Sequence, residues 1–105
     1  MKRGEVWLAA LDPTVGSEIR KTRPCVVASP DELNVELRTA IVVPMTTGSR
    51  PAPFRVPLSF QGKDGLLLPD QMRTIGRRRL VKRLGAVEPE TLATLLAVLR
   101  ELFAE

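Results

Sequence analysis

Three cations and one carboxylate are concentrated between two strand-like runs near the start of the chain. They lie within residues 16–24, directly before the apolar residues 25–28. An arginine side chain presents a planar fork of N–H groups that matches two oxygens of a phosphate. Pro24 restricts the preceding Arg23 to extended backbone geometry, which fixes this cation at the edge of the second strand. We therefore predict that residues 16–24 bind a phosphate.

Polar side chains also follow two later strand-like runs. Thr46 and Thr47 end the third run, and Gln71 and Arg73 come after the fifth. In a small barrel the ends of alternate strands meet at one rim, so these side chains and Arg23 can line one groove. A threonine hydroxyl beside an arginine would hold a further phosphate oxygen. The spacing alone fits solvated or backbone-capping residues equally well, so a joint catalytic role is only a hypothesis at this point.

Two residue types that often carry chemistry are scarce. Histidine is absent, which removes the commonest general acid or base and the commonest zinc ligand. Cys25 is the single cysteine, so an internal disulfide and a thiolate-rich metal site are excluded. Its apolar neighbours favour a small buried hydrophobe over a nucleophile. Chemistry is left to carboxylates, cations and hydroxyls.

The composition indicates one basic globular domain, which we assign to residues 1–105. The chain has 16 lysines and arginines against 12 acids, giving a formal net charge of +4 and a pI near 10.0. A small basic domain attracts polyanions, and this favours a nucleic-acid partner. Aromatic residues make up only 4% of the chain, which argues against a platform that stacks several bases.

The sequence gives no sign of a membrane segment or a leader. No apolar run approaches the roughly 18 residues that a membrane span needs. The opening residues 1–7 have a charged start but then alternate, without the apolar core of a signal peptide. We therefore expect a cytoplasmic protein with no membrane partner.

The densest charge run lies at residues 76–83. A row of cations on a sheet edge discourages edge-to-edge aggregation, and this is the commoner reason for such a run. Contact between Arg77–Arg83 and a nucleic acid is the alternative, and the sequence leaves both open.

Short alternating or apolar runs separated by turn residues predict five to six strands followed by one helix. Residues 31–37 are predicted to be a polar connection and residues 61–65 a turn. The helix begins at Pro89 and carries a leucine stripe at spacings of three and four, which predicts core packing and a further role in subunit contact. This order favours a small curled antiparallel sheet or barrel crossed by a helix. The predicted strands are residues 3–11, 25–29, 39–46, 54–58, 66–68 and 84–87.

Five blocks, in order along the chain, resemble the MazF/PemK family of type II toxin endoribonucleases. The match also includes residues 82–85 and the final helix, so it spans essentially the whole chain. The resemblance implies a mainly β fold, a small SH3-like (CcdB/PemK-like) antiparallel barrel with a C-terminal α-helix. The blocks are RGEVW (3–7), LDPTVGSE (11–18), RPCVV (23–27), PMT (44–46) and DQMRTI (70–75).

The same resemblance implies an activity and its partners. Members cut single-stranded RNA, including mRNA, at short sequence motifs by attack of the ribose 2′-hydroxyl, leaving a 2′,3′-cyclic phosphate and inhibiting translation and growth. No metal ion or other cofactor takes part. The active form implied is a homodimer, and the cognate antitoxin lays an acidic, disordered tail across the RNA groove.

Residue roles follow by position in the resemblance. Arg23 matches the catalytic arginine and Thr46 the catalytic threonine, while Glu18 is a candidate general base. Arg23 would neutralise the phosphorane oxygens and Thr46 would donate a hydrogen bond to one of them. The remaining RNA-binding candidates are Ser17, Arg20, Lys21, Thr47, Gln71, Arg73 and Arg78.

Two other functions fit a basic barrel of this size. One is a gyrase-targeting toxin similar to CcdB, and the other is a nucleic-acid-binding barrel without activity. Arg23 paired with Thr46 favours the nuclease, because a protein that poisons gyrase has no need of them.

Overall fold

The computed structural model describes residues 1–11 and 22–105. Within these residues the chain forms seven strands and two helices, with two short 3₁₀ turns at Pro69–Gln71 and Arg77–Arg79. The elements are β1 (Glu5–Ala10), β2 (Thr22–Val27), α1 (Asp31–Glu36), β3 (Thr39–Thr46), β4 (Val56–Phe60), β5 (Lys63–Leu67), β6 (Arg73–Gly76), β7 (Leu80–Ala86) and α2 (Pro89–Leu102).

The strands form one antiparallel sheet around β3. The strand order is β4-β5-β3-β2-β1-β7, and β6 pairs with β3 outside this path. On one edge β3 pairs with β2, and Val43 lies opposite Val26. Residues 39–42 of β3 pair with β6, whereas Met45 and Thr46 pair with β5. The sheet is therefore curled, as predicted, and the end of β3 lies beside the β4–β5 hairpin.

Both faces of the central strands are buried, as the unbroken apolar run of β3 predicts. Side chains alternate between two clusters. The first cluster lies under α2 and contains Val6, Val26, Ala28, Val43, Met45, Val56, Leu67 and Leu95. The second lies on the opposite face and contains Ala9, Leu11, Cys25, Val27, Ala40, Val42 and Ile75.

Helix α2 begins at Pro89, as predicted, and packs through its leucine stripe. Leu95 is fully buried in the first cluster, and Leu99 packs partly against it. The apolar side chains at the end of the stripe are not covered, since Leu102 is 41% and Phe103 is 70% exposed. The stripe is therefore core packing at its centre and an open apolar surface at its end.

Residues 31–36 were predicted to be part of a polar connection, but they form the short helix α1. The buried Asn34 explains the difference, because its amide donates to the Ser29 carbonyl oxygen at 3.0 Å. The Ser29 hydroxyl in turn donates to the Asn34 Oδ1 at 2.5 Å. A side-chain network of this kind leaves no apolar period in the sequence.

Several strand boundaries also differ from prediction, and the seven strands exceed the five to six that the sequence predicts. Residues 61–65 are not all turn, because Gln61 and Gly62 alone form a two-residue hairpin turn with φ of 51° and 77°. Strand β5 therefore begins at Lys63. Strand β7 begins at Leu80, so half of the charge run belongs to the last strand, which was predicted to cover only residues 84–87.

Within residues 1–11 and 22–105, neither helix has the length and apolar composition that spanning a lipid bilayer requires.

Gly65 lets β5 approach the end of β3. A Cβ atom on Gly65 would lie 2.8 Å from the Thr46 carbonyl oxygen, closer than such atoms pack. The absence of a side chain at this position therefore permits the pairing that holds Thr46 in place.

We expect Gly65→Ala to lower the free energy of unfolding by about 1–3 kcal/mol, because the added methyl group pushes β5 away from β3. Urea unfolding at constant m-value measures the change. Gly76→Ala is the matched control, since a Cβ there meets no atom within 4 Å among the described residues and its φ of −68° suits alanine. Equal urea midpoints for the two variants would contradict this packing argument.

Candidate active site

One surface groove, with a volume of about 270 Å³, joins three parts of the chain. The start of β2 forms one wall, the end of β3 forms the floor, and the β4–β5 hairpin forms the other wall. Described residues from all three segments line it, as follows: Arg23, Pro24, Met45, Thr46, Thr47, Leu58, Phe60, Gln61, Lys63 and Gly65. The groove brings Arg23 together with Thr46 and Thr47, which lie far from it in the sequence.

Arg23 lies within β2 and not before it. The predicted second strand began at residue 25, but β2 begins at Thr22, and Arg23 is paired with Ala9 of β1. The side chain of Arg23 is exposed, and no described residue forms an ion pair or hydrogen bond with its guanidinium group. The ladder fixes its backbone, and within residues 1–11 and 22–105 its five N–H donors meet no acceptor.

Thr46 is the last residue of β3 and lies opposite Leu66 of β5. The Thr46 Oγ1 accepts a hydrogen bond from the Gly48 backbone N–H at 3.2 Å. A hydroxyl that accepts this bond still has its proton to donate. The bond therefore orients the Thr46 side chain and leaves its donor for a ligand in the groove.

The β4–β5 hairpin adds groove residues that the sequence did not indicate. Lys63 is a second cation, and Phe60 and Gln61 lie beside it. Among the described lining residues none is acidic, so the groove is positively charged. The sequence does show a lysine directly after a glycine-containing turn. It does not show that Lys63 lies near Arg23, because that closeness depends on the curl of the sheet.

The structure places other predicted RNA-binding residues away from the described lining of the groove. Gln71 lies in the first 3₁₀ turn, and Arg78 is exposed in the second. The Arg73 guanidinium donates to the Leu11 carbonyl oxygen at 3.0 Å. The assignment of these three side chains to RNA stays a prediction.

Four predicted site residues lie outside the described residues, and the predictions for them stand unchanged. These are Ser17, Glu18, Arg20 and Lys21.

The charge run contains both bound and exposed cations. Arg83 Nε forms an ion pair with Glu5 at 2.9 Å, and Arg79 donates to the Ala10 carbonyl oxygen at 3.4 Å. Burial acts to raise the pKa of the Glu5 carboxyl, but hydrogen bonds from the Lys2 N–H, the Trp7 indole and Arg83 outweigh it and lower that pKa. Part of the run therefore ties β7 to β1 at the sheet edge.

The arrangement in the groove suits binding of a phosphodiester. A fork donor, a hydroxyl donor and an ammonium group converge from three strands, with no described acid to repel an anion. Such preorganised donors act most strongly where negative charge develops during a reaction.

Comparison with known protein families matches residues 2–103 to the PemK-like, MazF-like toxin of type II toxin-antitoxin systems. Among curated proteins, an Escherichia coli protein named Endoribonuclease PemK is 44% identical over 98 residues, which cover 88% of this chain and 73% of that protein.

Solved structures also match. MazF from Deinococcus radiodurans superimposes with a TM-score of 0.86 at 27% identity, covering 97% of this chain and 94% of that one. A MazE-MazF structure from the same organism gives a TM-score of 0.74 at 28% identity, with coverage of 97% and 94%. The mainly β fold with a C-terminal helix is thus shared with these proteins.

Cys25 lies in β2, two residues after Arg23, and faces the second cluster. It is fully buried, and its Sγ lies 3.6 Å from the Arg23 carbonyl oxygen. Burial raises the pKa of the Cys25 thiol to about 12, although the nearby Arg73 guanidinium acts in the opposite direction. The thiol is therefore protonated at neutral pH, as expected of a packing residue.

We expect the native Cys25 thiol to resist modification by a disulfide reagent at pH 8 and to react fully after unfolding in guanidinium chloride. Because its pKa is higher in the folded state, its contribution to stability is complete below about pH 9 and declines as the pH rises toward 12. The absorbance of the chromophore that the reagent releases gives the labelling rate of the native protein and that of the unfolded protein. Stoichiometric labelling of the native protein within the mixing time would contradict the burial.

Proposed function

The chain belongs to the PemK-like, MazF-like family of toxins of type II toxin-antitoxin systems, and we propose that its groove is the active site of an endoribonuclease. The substrate is single-stranded RNA, including mRNA, and the outcome is inhibition of translation and growth. The observation that carries the proposal is the convergence of Arg23 from β2 with Thr46 from β3 in one cationic groove.

The proposed reaction uses the nucleophile that RNA itself provides. The ribose 2′-oxygen attacks the adjacent phosphorus, its proton leaves to a base, and the bond to the 5′-oxygen breaks. The products are a 2′,3′-cyclic phosphate and a 5′-hydroxyl group that takes up one proton. The protein has to align the chain, offset charge on the phosphorane and assist two proton transfers, and none of these tasks requires a metal ion.

Arg23 and Thr46 divide the electrostatic part of this work. No described residue binds the guanidinium of Arg23, and the planar fork of this group matches two phosphorane oxygens. The hydroxyl of Thr46, oriented by Gly48, donates to one oxygen, and this bond strengthens as charge develops. A guanidinium is a weak acid at neutral pH, so Arg23 acts chiefly as a stabiliser and Glu18 is the proposed base.

The proposed partners follow from the charge of the groove and from the family. Arg23 and Lys63 favour an acidic, disordered antitoxin tail that competes with RNA for the same surface. A second copy of the chain has an uncovered apolar surface available at Leu102 and Phe103. We place the homodimer and its antitoxin in the cytoplasm, where mRNA is the accessible substrate.

A gyrase-targeting toxin and an inactive RNA-binding barrel are less well supported. A curated relative that matches 88% of the chain is named an endoribonuclease. Neither alternative explains why an exposed arginine and an oriented threonine share a groove.

The proposal is tested by inducing the full chain briefly and mapping new 5′ ends on cellular transcripts, then repeating the cleavage in EDTA with purified protein and a long RNA. We expect fragments with cyclic-phosphate ends at a recurring short motif.

Arg23→Ala should fold normally and lose cleavage by at least about a hundredfold. Arg23→Lys, which keeps charge but loses the fork, should retain part of it. Full cleavage by Arg23→Ala would remove Arg23 from the mechanism.

Thr46→Val should reduce the cleavage rate about a hundredfold or more, because the isosteric side chain keeps its packing but has no hydroxyl to donate. Thr46→Ser is the matched control and should stay within a few-fold of the parent protein. Single-turnover cleavage of a short RNA that contains the mapped site measures the chemical step. Equal rates for the two variants would show that the Thr46 hydroxyl does not contact the reacting phosphate.

A further inference from the structure

The β4–β5 hairpin supplies one wall of the groove, yet the reaction described above uses none of its side chains. Phe60 and Lys63 both line the groove and flank the two-residue turn at Gln61 and Gly62. They are directly opposite each other in the hairpin register. Opposed side chains in an antiparallel pair extend from the same face, so the ring and the ammonium group lie side by side.

Phe60 is the one aromatic residue among the described residues that line the groove. It packs partly against the first cluster, and its Cζ lies 3.3 Å from the place that a Cβ on Gly85 would occupy. Gly85 has a φ of +155°, a conformation suited to glycine, so no side chain displaces the ring. Phe60 is thus supported from behind, half-buried, and still in contact with the groove.

Lys63 provides charge next to this ring. It is exposed, and within the described ranges its ammonium group has no ion pair or hydrogen bond. Gln61, between the two, donates from Nε2 to the Leu84 carbonyl oxygen at 3.3 Å, which ties the turn to β7. The hairpin end is therefore held in place while its apolar ring and its cation face the groove.

We propose that Phe60 and Lys63 form a nucleotide subsite beside Arg23 and Thr46. The ring of Phe60 stacks on the base of a nucleotide next to the scissile phosphate, and Lys63 binds the backbone phosphate of that nucleotide. The proposal rests on the proposed function and extends it, because it assigns the hairpin the task of choosing and holding a neighbouring base.

The chemistry of the two groups matches the two parts of a nucleotide. Every base offers an apolar face to an aromatic ring, whereas the phosphate requires a cation. A single supported ring suits one base, so the low aromatic content does not count against it. Packing of Phe60 against Gly85 alone would explain its burial, but not the exposed lysine beside it that lacks a partner among the described residues.

The stacking part is tested with Phe60→Leu, which keeps an apolar side chain against Gly85 but removes the ring face. Phe54→Leu is the matched control, since Phe54 is 41% exposed and does not line the groove. The RNA is a short strand containing the mapped cut site, with a 2′-deoxy sugar there so that it binds without being cut. Versions with an abasic sugar on either side of the cut remove the stacking partner.

We expect Phe60→Leu to raise the Kd for the intact strand about tenfold. On one of the two abasic strands, Phe60→Leu and the parent protein should have the same Kd. Phe54→Leu should match the parent protein on every strand. An equal loss of affinity on intact and abasic strands would show that Phe60 acts only through packing and would overturn the stacking assignment, as would no loss at all.

The phosphate part is tested by the salt dependence of binding. Lys63→Ala should reduce the slope of log K against log salt by about 0.7, the value for one phosphate contact on a single strand. Lys2→Ala removes the same charge from an exposed lysine outside the groove and should leave the slope unchanged. Identical slopes for the two variants would overturn the role of Lys63.

The two levels of inference fail in different ways. If the parent protein neither binds nor cuts the long RNA, the proposed function is wrong. If the parent protein cuts RNA but Phe60→Leu and Lys63→Ala behave like their controls, only the nucleotide subsite is wrong.

Discussion

The pairing of β3 with three neighbours is the constraint on which the rest of the structure depends. One edge of β3 holds β2, and the other holds β6 along residues 39–42 and β5 at Met45 and Thr46. Its side chains alternate between two buried clusters. A shift of the β3 register by one residue would therefore move each of these side chains from one cluster to the other. The position of the Thr46 hydroxyl is therefore fixed by most of the core.

The groove is assembled from strand ends whose separate supports can be identified. Arg23 is held by its pairing with Ala9, and Thr46 is held by Leu66 and by the close approach of Gly65. The hairpin wall is tied through Gln61 to β7. These supports are strand pairing, a close backbone approach and a side-chain hydrogen bond to a strand carbonyl, so the segments that carry the cation, the hydroxyl and the second wall are placed before any ligand arrives. Such preorganisation is what electrostatic catalysis requires.

The sequence predicted what local patterns encode. The bounds of β3, the start of α2 at Pro89 and the burial of Cys25 follow from apolar runs and proline, and the structure confirms them. It could not predict α1, which depends on the buried amide of Asn34, or the neighbourhood of Phe60 and Lys63. Strand order decides which distant residues meet, and neither periodicity nor composition contains that order. The resemblance to a family identified Arg23 and Thr46, whereas charge density alone highlighted the whole of residues 16–24.

The chain has no histidine, and the described wall of the groove bears only a guanidinium and an ammonium group as charges. Their charge attracts any polyanion that reaches the groove, and not RNA alone. An acidic molecule lying in the groove would compete with RNA for these two cations, so the amount of that molecule, and the rate at which it is degraded, would set when the enzyme acts.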